Sequence, residues 1–422
     1  MSECVMITMD QLKVGLYIYL DMKWFDQPFA FGDFRIKNEE QIRVIRSLGL
    51  TQVRYSPKLS DTEPSPALAP SAQTAAPPPA PDVAAALAAK SAMIERIGRQ
   101  RAASARVSQA FSQTAKSIHA IDQNLFARPE DSVRQANTLI GQIASSILSE
   151  AELAIHVMGE TGSEELYFHS LNVTILSMMM ARDLKLPPPV VVALGLGALF
   201  HDVGKHDIPD RLQREVDAFT PAERKLFELH TVYGSDMAKR LKLPAAVQAI
   251  ILEHHEHVDG SGFPAKLKGD DIGMLSRIVA IANRYDELCN PVNINDALTP
   301  HEALALMFAK LRAKFDARIM QLFIRCLGVY PPGSIVELSN GALGMVTTVN
   351  ASKPMKPMLM IYNGDVPKEE AILVDLEHES DVNIVKAVRP AQVPPDVYAY
   401  LNPRKRVSYY FEAGNAAGMS KR

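Results

Sequence analysis

HDVGK, residues 201–205, follows an apolar run from Val190 to Phe200. The run is of helical length, and its end delivers a histidine, an aspartate, a glycine and a lysine in succession. Charged groups at a buried helix end are costly unless a metal ion or a partner takes them up. Further along, AVQAIILE (246–253) is a second apolar helix pattern, and it ends on the adjacent pair His254 and His255. His230 lies between, four residues before Gly234, and upstream Glu165 and His169 are four apart, on one helical face. Histidine beside carboxylate is ligand chemistry for borderline divalent metals. Asp202 has two oxygens and so can bridge two cations. Five histidines and two carboxylates exceed what one tetrahedral zinc needs. The set points to two or three divalent metals in N/O coordination, iron or manganese before others.

The scaffold around these residues reads as helical. Residues 132–148, 164–182, 189–200, 221–241, 244–255, 274–288 and 300–327 each carry apolar residues at three–four spacing or an apolar run of helical length. Several open with proline in the first turn, where its missing N–H costs nothing. A polar, glycine-rich loop, 256–273, interrupts them. The fold class expected is multidomain and mainly α. It comprises a small α/β N-terminal module (1–56), a Pro/Ala-rich linker (57–81), a long connecting helix (82–128), a helical catalytic domain (129–330), a small β appendage (331–389) and a polar tail (390–422).

In the first module LYIYL (16–20), FRI (34–36) and TQVRY (51–55) read as strands, and Asn38 with Gln41 opens a helix over 39–48. Trp24, Phe25, Phe29, Phe31 and Phe34 crowd this module and read as its core. Between 82 and 128, Val107, Phe111, Thr114, Ile118, Ile121 and Leu125 step by four and three. That seam suits either a homodimer through paired helices or packing within one chain. After Pro331-Pro332-Gly333 the runs SIVEL, ALGMVTTV, PMLMIY, AILVDL and NIVKAV read as short strands, with Asn340-Gly341 as a hairpin turn. In the tail, Arg404-Lys405-Arg406 is a solvated basic patch.

Composition narrows the function classes. The chain has 422 residues, 47% hydrophobic and 22% charged, with a net charge of −3. That balance gives no sign of DNA, RNA or polybasic membrane binding. No apolar run reaches the ~18 residues that suggest a membrane span, and MSECVMITMD has no signal-peptide pattern. Cys4, Cys289 and Cys326 are few and lack a CxxC spacing, which suits the cytoplasm.

HDVGK (201–205) and HHEHVDGSGFP (254–264), with His169-Ser170 before them and His230 and Gly234 between, resemble the HD-GYP family of bacterial phosphodiesterases, a branch of the HD metal-dependent phosphohydrolases. The resemblance covers roughly 150–327, and QLKVGLYI with the following Trp-Phe pair is similar to the domain that precedes HD-GYP in one subgroup. It implies an all-helical HD-type domain with a binuclear or trinuclear centre. It also implies hydrolysis of cyclic di-GMP to linear pGpG, and onward to GMP, by a metal-bridging hydroxide. Carried over position by position, His169, His201, Asp202, His230, His254 and His255 match metal ligands, and Glu165 matches the extra carboxylate of trinuclear members. Lys205 matches the lysine that contacts substrate phosphate, and Asp202 and Lys205 are the expected catalytic pair. Asp259, Gly260, Gly262, Phe263 and Pro264 form the substrate loop.

Two departures from the family pattern stand out. Phe263 replaces the tyrosine of GYP, and Asn283, in IANRYDEL, stands where the family has a ligating aspartate. Asp286 lies three residues on, nearly on the same helical face, and reads as a compensating ligand or as a packing residue. The basic residues that follow in many members are absent from CNPVNIND (289–296). Two alternatives therefore accompany the main reading: a member that binds a cyclic dinucleotide or partner proteins without turnover, and a phosphodiesterase that prefers cyclic GMP-AMP. His206 and His257 flank the motifs and read as neighbours of the centre or as exposed residues.

Overall fold

The computed structural model describes residues 4–22, 27, 29, 32–66, 95, 98, 102, 106–107, 109–149, 155–158, 165–213, 219–291, 293, 296–349, 353, 355–364, 366–368, 371–377, 379, 382–401 and 408–411. They divide into two compact units. The first comprises 1–102 with 338–342 and 361–374, and the second 103–337 with 343–360 and 375–422.

The first unit contains a four-stranded antiparallel sheet. Strands β1 (Val5–Thr8), β2 (Tyr17–Tyr19), β3 (Asp33–Arg35) and β4 (Gln52–Tyr55) take the order β1-β4-β2-β3. The sequence reading had no β1, because only one of its four side chains, Ile7, is buried. Helix α1 (Glu39–Ser47) starts as expected, with Asn38 Oδ1 accepting from the Gln41 N–H at 2.9 Å and Gln41 Oε1 accepting from the Lys37 N–H at 2.7 Å. Alternation along the strands and the apolar face of α1 bury Ile7, Leu16, Ile18, Ile42, Ile45 and Val53 together. Phe29 and Phe34 stack at 4.4 Å against this core, while Trp24, Phe25 and Phe31 lie outside the described residues.

The second unit is the helical body. A helix over 109–124, α2, is followed by α3 (Pro129–Ser149), α4 (Glu165–Asp183), α5 (Pro188–Leu199), α6 (Pro221–Glu228), α7 (His230–Arg240), α8 (Ala245–Glu253), α9 (Met274–Cys289), α10 (Pro300–Ala309) and α11 (Ala317–Leu327). Helices α4 and α5 run through the centre and pack on α3, α8 and α9. Leu171, Val173, Ile175, Val191, Leu194 and Ala198 are all fully buried there. This explains why α5 is apolar all round, as a helix enclosed by others is.

Two expected helices are each broken. The span 221–241 divides at Leu229, where the α6 backbone turns and His230 begins α7. The span 300–327 divides after Ala309, and Asp316 opens α11 by accepting from the Arg318 and Ile319 N–H groups at 2.9 and 3.1 Å. Pro129 occupies the first position of α3, where its missing N–H costs nothing. In the seam on the connecting helix, Val107, Phe111, Ile118, Ile121 and Leu125 are buried in this unit's own core. Of the rest of 82–128, most lies outside the described residues.

Strands β6 (Ile335–Leu338), β7 (Leu343–Val349), β8 (Met358–Ile361), β9 (Ile372–Asp375) and β10 (Ile384–Ala387) fall on the five expected runs. β6 and β7 pair antiparallel, Ile335 opposite Met345 and Glu337 opposite Leu343. Two strands were not expected. β5 (Ile155–Met158) lies within the helical region, and β11 (Ser408–Phe411) lies in the stretch read as a solvated tail. They pair with each other, Ile155 opposite Phe411, and β5 also pairs with β7. A further helix, α12 (Pro395–Leu401), buries Val397 and Leu401. The tail therefore carries its own secondary structure; Arg404, Lys405 and Arg406 lie outside the described residues. No helix among the described residues is long and apolar enough to cross a membrane.

Candidate metal centre

Three histidines of the centre are placed by one repeated local device. His201 follows α5, His230 opens α7 after the Leu229 break, and His254 follows α8. Each turns its Nδ1 onto the carbonyl three residues back: His201 to Ala198 O at 2.6 Å, His230 to Phe227 O at 2.7 Å, His254 to Ile251 O at 2.8 Å. A carbonyl only accepts, so Nδ1 carries the hydrogen and Nε2 of the neutral ring is a free lone pair. Burial holds the His201 imidazole down to about 4 and His254 and His255 well below their ordinary value, so these rings are neutral at neutral pH.

The free Nε2 atoms meet in pairs. His169 and His201 approach to 3.1 Å, and His230 and His254 to 3.2 Å. His169 sits on α4, and its Nδ1 donates to Asp286 Oδ2 at 2.7 Å. Asp286 Oδ1 in turn accepts from Asn172 Nδ2 at 2.7 Å and Asn290 Nδ2 at 2.8 Å. Two lone pairs cannot face each other so closely without a proton or a cation between them. Metal–imidazole bonds of about 2.0–2.1 Å at tetrahedral to right angles separate two nitrogens by about 2.9–3.4 Å. Both pairs fall in that window.

Asp202 lies between the pairs. Its Oδ2 is 3.4 Å from His201 Nε2 and 3.7 Å from His169 Nε2; its Oδ1 is 3.5 Å from His230 Nε2 and 3.8 Å from His254 Nε2. Oδ1 is buried with no hydrogen-bond partner, an orphan that a cation would satisfy. Burial alone would raise this carboxyl, but Lys205 and the surrounding imidazoles outweigh it and hold it well below the usual carboxylate range. Two potential ligand groups thus share one carboxylate: Asp202, His230, His254 and His255 in one, His169, His201 and Asp202 in the other, with ligand atoms within 4.8 Å of one another in each. The donors fit a divalent metal site.

Lys205 Nζ donates to Asp202 Oδ2 at 2.6 Å and lies 5.5 Å from the Phe227 ring centre. The short helical turn that carries it, 203–207, sits directly on α7. A Cβ at Gly204 would lie 2.0 Å from His230 O and 2.4 Å from Gly234 N, so only glycine permits this approach. The loop after His255 is folded back on the centre. The Phe263 N–H donates to His255 O at 3.2 Å and its ring stacks on His255 at 4.6 Å. The Phe263–Pro264 peptide is cis. Gly262 packs against the backbone of 255–257, Gly260 has φ +81°, and Asp259 Oδ1 accepts from the Ser261 N–H at 2.8 Å.

Asn283 lies on α9. Its Nδ2 donates to Glu287 Oε1 at 3.0 Å, while its Oδ1 is buried without a hydrogen-bond partner. Asp286 is bonded to His169 and acts on the centre through that ring, so it does not stand in for an aspartate at 283. Glu165 begins α4 one turn before His169; its side chain lies outside the described residues. His206 Nε2 meets Asp122 Oδ1 at 2.8 Å, an α2 contact the sequence reading did not contain. Also unforeseen is Glu256, buried, whose carboxylate accepts from the Ala265 and Leu267 N–H groups at 2.6 and 3.0 Å and so braces the 259–264 loop. The sequence held a signal for it, a glutamate directly after the histidine pair.

The chain is similar in sequence to known proteins. The HD-domain family profile matches residues 145–319, a domain of unknown function (DUF3391) matches 5–136, and a KOW domain associated with HD domains matches 335–394. A cyclic di-GMP phosphodiesterase of Pseudomonas aeruginosa is 27% identical over 398 residues, 92% of each chain. A 3'3'-cGAMP-specific phosphodiesterase of Vibrio cholerae is 26% identical over 163 residues, 39% of this chain and 35% of that one. Among solved structures, an HDG"Y"P protein from Bdellovibrio bacteriovorus is similar at 18% identity and a TM-score of 0.42, covering 76% of this chain and 98% of that one.

Proposed function

The chain belongs to the HD-GYP family, and on that premise we propose that its helical unit is a metal-dependent phosphodiesterase that opens cyclic di-GMP to linear pGpG, with GMP as a further product. One observation carries this reading: two pairs of imidazole Nε2 atoms face each other across the two oxygens of Asp202. We assign His169, His201 and Asp202 to one cation and Asp202, His230, His254 and His255 to the other. Mixed imidazole and carboxylate donors favour iron or manganese. Glu165 and Asn283 are the residues available for a third position.

Bound divalent metals would lower the pKa of water and offset charge on the phosphoryl oxygens. Around them the residues of this chain have separate tasks. Asp286 orients the His169 ring by accepting from its Nδ1–H. Lys205 supplies a point charge for a phosphoryl oxygen, and in the absence of substrate that charge rests on Asp202. The loop 259–264, braced by Glu256, closes the other side and excludes water from the reacting phosphate. A homodimer through 82–128 draws no support from the described seam, which is covered within the chain.

The direct test is turnover by purified protein supplied with manganese or ferrous iron, on cyclic di-GMP and 3'3'-cyclic GMP-AMP in parallel. Appearance of pGpG, abolished by chelation, is the expected result. Turnover of cyclic GMP-AMP alone would move the substrate assignment to the narrower class named for the Vibrio relative. Tight binding of either dinucleotide without any product would favour a non-hydrolytic member.

Asn283 gives a second measurable outcome. An amide oxygen brings no negative charge to a cation, and affinity follows ligand charge in oxygen-rich sites. Asn283→Asp is expected to retain more metal after dialysis and to reach half-maximal activity at lower metal concentration, by roughly tenfold. Equal metal retention in the two proteins would place position 283 outside the centre.

A further inference from the structure

Lys205 owes its place to the short turn 203–207, in which the Lys205 N–H donates to Asp202 O at 2.9 Å and the Ile208 N–H to Lys205 O at 3.1 Å. Turns of this tight kind are short and have poor hydrogen-bond geometry, so contacts from outside decide where they sit. Gly204 seats the turn on α7. A second contact comes from α2. His206, the residue after Lys205, donates through Nε2 to Asp122 Oδ1 at 2.8 Å. The other Asp122 oxygen accepts from the Tyr167 hydroxyl at 3.5 Å, a long contact that reaches α4 two residues before His169. His119, three residues before Asp122 and on the same face of α2, sets its ring edge-on to Tyr167 at 4.4 Å. Phe126, just beyond the end of α2, is exposed and lies edge-on to His206 at 5.2 Å. Another face of this segment buries Phe111, Ala115, Ile118, Ile121 and Leu125 in the core, so Asp122 stands on a fixed support.

Asp122 and His206 are both partly open to solvent, where an ion pair adds little to stability. The contact nevertheless ties the backbone that carries Lys205 to a helix anchored in the core. We propose that Asp122 and His206 are positioning residues for phosphodiester hydrolysis. They fix the 203–207 turn on α2, so that the flexible lysine stem starts from a set point. Its ammonium then meets the charge that develops on the phosphoryl oxygens. This rests on the phosphodiesterase reading above. A displacement of about 1 Å in such a group is enough to cost on the order of a hundredfold in rate.

The test uses the full-length, metal-loaded protein and cyclic di-GMP. Asp122→Ala and His206→Ala should each lower kcat by roughly tenfold or more, while KM stays within about threefold. Metal content should be unchanged, and the melting temperature should move by no more than about 4 °C. Asp122→Asn keeps an acceptor for the His206 Nε2–H and should recover most of the rate. The deciding readout is a double-mutant cycle with Lys205→Ala. Once the ammonium is gone, Asp122→Ala should lower the rate no further. His206→Ala, at an exposed position, carries the same cycle if Asp122→Ala fails to fold. A further loss of roughly tenfold in the Lys205→Ala background overturns the assignment, because the pair would then act through something other than Lys205. Loss of metal in Asp122→Ala also overturns it, by moving the action to His169 through Tyr167. Rates within about twofold of wild type in both alanine variants overturn it and leave the enzyme reading intact. Wild-type, metal-loaded protein that turns over no cyclic dinucleotide overturns the enzyme reading and the positioning role together.

Discussion

Asp202→Ala should abolish phosphodiester hydrolysis and leave the protein unable to retain metal at either position. The two oxygens of this carboxylate face different imidazole pairs, Oδ2 toward His169 and His201 and Oδ1 toward His230 and His254. Loss of any other single ligand weakens one group; loss of Asp202 weakens both. The Lewis-acid contribution of bound metal is worth several kcal/mol of transition-state stabilisation, so turnover should fall by on the order of a thousandfold or more. The variant also leaves the Lys205 ammonium without its 2.6 Å partner. Asp202→Asn, which keeps the shape and removes the charge, separates that effect from the loss of side-chain volume. Metal content by mass spectrometry and rates on cyclic di-GMP decide the matter. Activity within tenfold of wild type, with metal retained, would remove Asp202 from the bridging role.

Gly204→Ala should damage the fold and the centre together. The added methyl group would meet backbone atoms, His230 O at 2.0 Å and Gly234 N at 2.4 Å, rather than the yielding end of a side chain. Relief requires the 203–207 turn to move away from α7, and with it Asp202 from His230. Overpacking in a rigid contact costs about 3 kcal/mol or more, which for a unit of this size lowers the melting temperature by roughly 6–12 °C. Gly141→Ala is the control. It lies on α3 with nothing within 4 Å of the added atom, so alanine there should leave stability unchanged or raise it by up to about 1 kcal/mol. Thermal denaturation and metal content of the two variants should diverge sharply. A Gly204→Ala protein that melts like wild type and keeps its metal would show that the contact gives way easily.

The parts of the centre legible in the sequence are those made by neighbours in the chain. A histidine placed just after an apolar helix can be read from a dozen residues, and so His201, Asp202, His254 and His255 stood out. What could not be read depends on contacts between distant residues. Asp286 is 117 residues from His169, and only the packing of α9 on α4 brings them to 2.7 Å. Helix breaks at Leu229 and after Ala309 were hidden because apolar spacing continues across them, and a local turn of the backbone leaves that spacing unchanged. Strands β5 and β11 escaped for the opposite reason: each is four residues long and gains its partner from 250 residues away. The departure at Asn283 was visible at once, but its surroundings were not; the Glu287 hydrogen bond and the unpartnered Oδ1 needed the three-dimensional arrangement.

The histidine-to-carbonyl bonds differ in what they demand of the molecule. His201, His230 and His254 take their orientation from an oxygen three residues back, within their own helical turn. A partly assembled chain that has formed those turns already has those rings aimed. His169 takes its orientation from Asp286, and therefore from the docking of α9, held further by Asn172 and Asn290. The aim of the His201, His230 and His254 rings is thus a local property of their own helical turns, whereas that of His169 is a property of the packed bundle.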